Sequence, residues 1–118
     1  MTNKDFLTAI STAEIDIDKV AKIESQYMAK LPYELKKFIS VCGEVIFLDE
    51  YRVLSFLEIL YANDELQVDF TKEKVLPLID CKDNTFIVYH LDTNNWSMYD
   101  IIELISFNYK NNFSEFFE

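Results

Sequence analysis

Apolar residues recur at helical spacing along the first forty positions. Phe6, Leu7 and Ile10 share one side of residues 4–11, which predicts a short helix. Val20, Ile23, Tyr27 and Met28 repeat the spacing, and Asp16 or Asp18 stands where an N-cap carboxylate would accept from the first free N–H groups. Leu31-Pro32 ends that helix. Proline suits the first turn of the next one, because its missing N–H has no partner to lose there. Leu35, Phe38, Ile39 and Cys42 fall on one face of this third helix. Gly43, the only glycine, follows where a left-handed C-cap is expected.

The period then shortens. Val45 to Leu48 and Tyr51 to Leu54 read as short strands flanking Asp49-Glu50. Ser55 can cap a helix running to about Asn63, with Leu57, Leu60 and Tyr61 inward. Val75 to Ile79 reads as a strand, and Pro77 inside it favours a sheet edge. Phe86 to Leu91 and Trp96 to Ile101 are the clearest strands, joined by turn-forming Asp92-Thr93-Asn94-Asn95. A two-residue turn at Thr93-Asn94 would pair Leu91 with Trp96, Tyr89 with Met98 and Val88 with Tyr99. Asn112 or Ser114 can start a last short helix that docks Phe113, Phe116 and Phe117 on the sheet. Helices, then strands with one inserted helix, then a terminal helix predict an α+β fold with an antiparallel sheet.

Length and composition narrow the function. The chain has 118 residues, one domain's worth, so a single domain over 1–118 is expected. It is 50% hydrophobic and 15% aromatic, which argues against disorder. The formal net charge is −10, and phosphates would be repelled, so no direct nucleic-acid binding is expected. The negative charge is uneven: residues 1–59 carry seven bases and ten acids, residues 60–118 four bases and eleven acids. The longest apolar runs, such as Val45 to Leu48, fall far short of the ~20 residues that span a bilayer. No signal-peptide pattern follows the first residues, and Cys42 and Cys81 form no disulfide framework, so a cytoplasmic location is expected.

Candidate chemistry is sparse. His90, the only histidine, could work with Cys81 or Asp92, but nothing in the spacing sets a hydroxyl or thiol beside it. It reads more simply as a partly exposed strand residue. Cys42, Cys81 and His90 lack metal-ligand spacing, and Asp64 to Asp69 lacks the glycine and terminal glutamate of a calcium loop, so no metal or cofactor is expected. Carboxylates come in pairs: Asp49-Glu50, Asp64-Glu65, Asp80 with Asp83, Asp100 with Glu103. Together they would steer a basic partner into contact and suppress wrong ones. Phe38, Phe47, Phe86, Phe113 and Phe116 read as core. Trp96, beside a turn, reads as the exposed anchor, since interface hot spots favour Trp and Tyr.

The order of motifs resembles the SUKH superfamily. Glu24, then Leu31-Pro32-Tyr33-Glu34-Leu35-Lys36-Lys37-Phe38-Ile39, then Gly43, is similar to its opening helices. Tyr51 to Ile59 looks like its strand-then-helix, Val75 to Asp80 like its proline-containing strand, Phe86 to Leu91 with Trp96 to Asp100 like its central hairpin, and Phe113 to Phe117 like its closing helix. Gly43-Glu44 stands where the family has a glycine pair, and Lys82-Asp83-Asn84-Thr85 where it often has a glycine-rich turn. The likeness covers about residues 18–118. It implies an α+β domain without catalysis, of the kind found in yeast cell-wall assembly regulators and in bacterial immunity proteins that neutralise a cognate toxin.

The resulting expectation is an immunity protein that occludes the active or substrate-binding site of a basic, nuclease-type toxin. Its partner-binding residues would be Asp64, Glu65, Asp69, Asp80, Asp83, Asp92, Asp100 and Glu103, with Trp96 and Tyr99 as aromatic anchors. A general protein-interaction adaptor with no toxin partner is the alternative. A small enzyme built on His90 and Asp92 is the remote one.

Overall fold

The computed structural model describes residues 1–117. Helix α1 (Asn3–Thr12) opens on Thr2, whose hydroxyl accepts from the Asp5 N–H. Helix α2 (Ile17–Tyr27) is capped by Asp16 and closed by a left-handed Met28. Pro32 takes the extended N-cap position of α3 (Tyr33–Val41), one residue before the first turn. The inward sides include Phe6 and Ile10, then Val20, Ile23 and Tyr27, then Leu35, Phe38 and Ile39, as the spacing predicted. Met28 departs from the predicted stripe: it is 87% exposed, because its left-handed backbone ends α2 and takes the side chain off the buried face. Gly43 corrects the expected left-handed C-cap. Cys42 closes α3 in extended backbone (φ −77°, ψ 110°), and Gly43 has no positive φ. The chain leaves α3 already running toward the sheet, so no left-handed reversal is needed.

Strands β1 (Ile46–Phe47) and β2 (Arg52–Val53) form a minimal hairpin. Phe47 is 68% exposed, against the expectation of a core residue. In a two-residue strand the side chains alternate, and Ile46 takes the inward position. Ser55 then starts α4 (Phe56–Leu60) with a reciprocal capping box: its hydroxyl accepts from the Glu58 N–H, and the Glu58 carboxylate accepts from the Ser55 N–H. The cap sets the phase of the helix. Phe56, Ile59 and Ala62 turn inward, and Leu57 and Tyr61 face solvent, the reverse of the predicted side. The helical path breaks at Tyr61 and resumes as α5 (Ala62–Leu66) and α6 (Phe70–Glu73), two turns the periodicity did not predict.

The remaining chain is a meander of β3 (Val75–Asp80), β4 (Thr85–His90), β5 (Asn95–Asp100) and β6 (Ile105–Lys110). With β1 and β2 they form one antiparallel sheet in the order β1-β2-β3-β4-β5-β6. The fold is therefore α+β, with β6 an unpredicted sixth strand. Pro77 does not lie in an edge strand: β3 is interior. It is tolerated because β2 pairs only with Ile79 and Asp80, and the β3–β4 register shifts between Pro77 and Ile79. The β4–β5 turn holds four residues, Leu91 to Asn94, so Tyr89 faces Trp96 and Ile87 faces Met98. This register is two residues from the predicted one. A two-residue slip keeps every side chain on its face, so the predicted face assignment survives. The last element, Phe113–Phe117, is a 3-10 helix.

Pairing register separates the two faces of the sheet. Tyr89, Trp96 and Leu76 lie on one, and Val88, Ser97, Phe86 and Tyr99 on the other. On the first, Trp96 packs against Phe38 of α3 (5.9 Å between ring centroids) and Phe113 (5.0 Å), and Phe6 of α1 meets both phenylalanines. On the second, Phe70 of α6 lies 6.1 Å from the Tyr99 ring. Among the described residues no helix is long and apolar enough to cross a membrane.

Both cysteines are free, Cys42 buried and Cys81 half-buried. Burial pushes each thiol up to about 12. Arg52 joins two elements: Nη1 donates to Glu58 of α4 at 2.9 and 3.0 Å, and Nη2 to Asp80 of β3 at 3.2 Å. Burial alone would raise the Glu58 carboxyl, but the Ser55 N–H and the Arg52 guanidinium outweigh it and hold it below its ordinary value. A depressed folded-state pKa gives stability that is present above the unfolded value of ~4.3 and lost as pH falls through the folded one. Arg52→Met is expected to cost about 1 kcal/mol at pH 7, allowing for solvent screening of this partly exposed pair. Urea unfolding at pH 7 and pH 3 checks it: the variant's deficit should shrink in acid.

Candidate functional site

Trp96 is 1% exposed and Tyr99 6%, so neither is the surface anchor the sequence suggested. The β4–β5 turn projects past Trp96 and the β5–β6 turn past Tyr99, and their rings fall on covered faces of an interior strand. The indole Nε1 of Trp96 has no hydrogen-bond partner among the described residues. Of the eight carboxylates, three are engaged in building the fold. Asp80 is paired with Arg52 and accepts from the Lys82 N–H at 2.8 Å. Asp69 caps α6, accepting from the Lys72 N–H and from the side chains of Thr71 and Asn63. Asp100 accepts from the N–H groups of Ile102 (2.8 Å) and Glu103 (3.0 Å), which shapes the β5–β6 turn. Asp64, Glu65, Asp83, Asp92 and Glu103 are exposed.

Topology gathers most of these acids and leaves Asp92 apart. The β3–β4 turn with Asp83 and the β5–β6 turn with Asp100 and Glu103 lie at one end of the sheet, joined by the Ile101 N–H donating to the Asn84 carbonyl at 3.0 Å. A recess of about 330 Å³ brings α6 to the same place, lined by Asp69, Lys72, Glu73, Tyr99 and Leu104. Glu73 joins the acidic set there; it was missed because no neighbouring acid marks it in the sequence. Asp64 and Glu65 stand on α5, just before this recess. Burial, and Glu73 across the recess, raise the Tyr99 hydroxyl above its ordinary value. Asp92 sits in the β4–β5 turn, at the opposite end.

The sequence reading also missed the apolar half of this surface. Ile102, Leu104, Ile105 and Tyr109 are more than half exposed, and Phe107 is 41% exposed. Ile105-Ser106-Phe107-Asn108-Tyr109-Lys110 alternates as a strand should, and that was the available signal. Leu104 stands out further. The β4–β5 and β5–β6 turns share one geometry: Asn94 N–H donates to the His90 carbonyl (2.9 Å), and Leu104 N–H to that of Asp100 (2.8 Å). The last turn residue is left-handed in both, with φ 54° at Asn94 and 58° at Leu104. Asparagine tolerates that conformation; leucine is strained in it by about 1–2 kcal/mol. Leu104→Asn is therefore expected to stabilise the fold by about 1 kcal/mol, read from the urea midpoint.

His90 and Cys81 lie at opposite ends of the β3–β4 ladder, where Val75 faces His90 and Asp80 faces Phe86. They do not meet. Instead, His90 Nε2 shares a 2.7 Å hydrogen bond with Ser97 Oγ, and its ring lies 5.5 Å from that of Tyr109. Ser97 is fully buried, so its hydroxyl cannot meet a substrate; the bond satisfies a polar group inside the sheet. Burial lowers the imidazole pKa and Asp92 only partly opposes it, so His90 is neutral at pH 7. Among the described residues no group of three His, Cys, Asp or Glu side chains could hold a metal ion. No family model, curated protein or solved structure matches this chain.

Proposed function

We propose that the chain is an immunity-type protein that acts in the cytoplasm, binding a basic, nucleic-acid-cleaving toxin and neutralising it by occlusion. One observation carries the reading: Asp69, Glu73, Asp83, Asp100 and Glu103 converge at one end of the sheet around exposed aliphatic side chains, in a chain of net charge −10. A toxin that cleaves nucleic acid must hold phosphates in a cationic site, and carboxylates on a fixed scaffold can occupy that site in their place. The exposed aliphatics exclude water around the charged contacts, which strengthens them. The resemblance of the motif order to the SUKH superfamily supports the same reading.

The test is a rescue. The C-terminal domain of the protein encoded by the adjacent gene is expressed in a host cell with and without the chain, and the two purified proteins are then mixed. Growth is expected only with the chain present, and the association rate should fall steeply as salt rises. Tight binding to a partner that harms no cell would instead make the chain an adaptor. An association rate indifferent to salt would remove the charge mechanism.

A further inference from the structure

We propose that β6 is a docking edge, to which an extended strand of a basic protein adds as a seventh strand and seats its apolar side chains beside Leu104, Ile105 and Phe107. This inference rests on the reading that the chain works by binding a basic protein, and it names the surface.

The two edges of the sheet are built differently. β1 is two residues long, and the amino group of Met1 donates to the Phe47 carbonyl beside it. β6 is six residues long, and its outer side pairs with no strand among the described residues. Proteins blunt such edges with proline, inward charges, bulges or brevity, because an open ladder recruits other strands. β6 has no proline, its one charge is the terminal Lys110, and its register shift lies toward the Lys110 end, where Asn108 is left-handed. The stretch from Ile105 to Phe107 keeps unbroken register with β5 and exposes the apolar Ile105 and Phe107.

The turn feeding this edge holds Leu104 in a strained backbone conformation where the equivalent turn holds Asn94. The strain does nothing for the turn itself; it keeps an aliphatic side chain exposed beside the strand. Charge selects the occupant. Glu103, Asp83, Glu73 and Asp69 border this end of β6 against Lys72 and Lys82, so an incoming strand rich in Lys or Arg is favoured. A second copy of this chain, with its own net charge of −10 and the same carboxylates, is disfavoured. Backbone bonds would supply affinity and alternate side chains specificity, as in other strand additions.

The probe is a phage-displayed library of random twelve-residue peptides, selected against the whole chain. Selected peptides should alternate Lys or Arg with aliphatic residues and shift the β6 amide resonances. N-methylating alternate backbone amides of a selected peptide, or replacing Phe107→Lys in the chain, should weaken binding at least tenfold. Absence of binders, binders that map elsewhere, tolerance of N-methylation, or dimerisation of the chain through β6 in sedimentation would each overturn the inference. The rescue assay separates it from the broader reading. If wild type and Phe107→Lys neutralise the toxin equally, the edge falls and the immunity reading stands. If wild type fails to neutralise while peptides map to β6, the edge stands and the immunity reading falls.

Discussion

Trp96→Ala is expected to lower stability by about 3–5 kcal/mol, a third or more of what a small domain has to lose. The indole is the meeting point of three elements: Phe38 from α3, Phe113 from the 3-10 helix and Tyr89 from β4 all lie within 6 Å, centroid to centroid. Truncation empties the middle of that cluster, and the rings around it are fixed by their own backbones and cannot collapse inward. Trp96→Phe behaves differently. It keeps a ring in place and removes an Nε1 that has no partner among the described residues, so the expected cost is under about 2 kcal/mol. The indole is also the chain's only one, so its fluorescence follows unfolding in the wild type, and circular dichroism does so in both variants. A Trp96→Phe variant that folds normally but no longer binds the partner would return Trp96 to the interface and contradict its burial.

The second large effect concerns association. Asp64→Asn, Glu65→Gln, Asp83→Asn and Glu103→Gln remove four exposed carboxylates, and none of these side chains takes part in a hydrogen bond among the described residues. Together they should slow association with the proposed basic partner by about tenfold or more at low salt and flatten its salt dependence. Dissociation should change less, because rim charges act mainly on encounter. Stability should hold or rise slightly, since the folded chain repels itself less. Asp69, Asp80 and Asp100 are left in place because they cap α6, bind Arg52 and shape a turn. Stopped-flow rates across a salt series give the result; an unchanged rate would show that the field of these residues does not steer the partner.

Much of this architecture was readable before the structure. Helices with one apolar face and a polar cap, such as the Asp16–Tyr27 stretch, declare themselves because local bonds and burial agree. So does the β4–β5 hairpin, where Asn94 accepts the left-handed position its turn requires. The failures came where two periodicities overlap or long-range pairing decides. In Phe56-Leu57-Glu58-Ile59-Leu60-Tyr61-Ala62, two apolar stripes compete, and only the Ser55 capping box and the packing of Phe56 choose between them. Pro77 follows the general edge rule, and the rule yields because β2 stops short of it. β6 escaped because its apolar side chains face largely outward.

For the candidate site, the acids were legible as a field but not as a place. Sequence distance could not tell that Asp83 and Asp100 meet through Asn84 and Ile101 while Asp92 points from the far end. Nor could it separate carboxylates that build turns and caps from those left free. Trp96 misled for a related reason: proximity to a turn suggests exposure, whereas the covering helices arrive from residues sixty and ninety positions upstream.

From β3 to β6 each strand pairs with its chain neighbour across a four-residue turn, whereas the ring cluster joins position 6 to position 113. Those hairpins can therefore zip one after another through short closures, a fast, low-contact-order route. The aromatic lock must wait for Phe113 to emerge. A nascent chain should thus hold its strands in register well before it becomes resistant to proteases, and protease resistance should arrive in a single step when Phe113 seats.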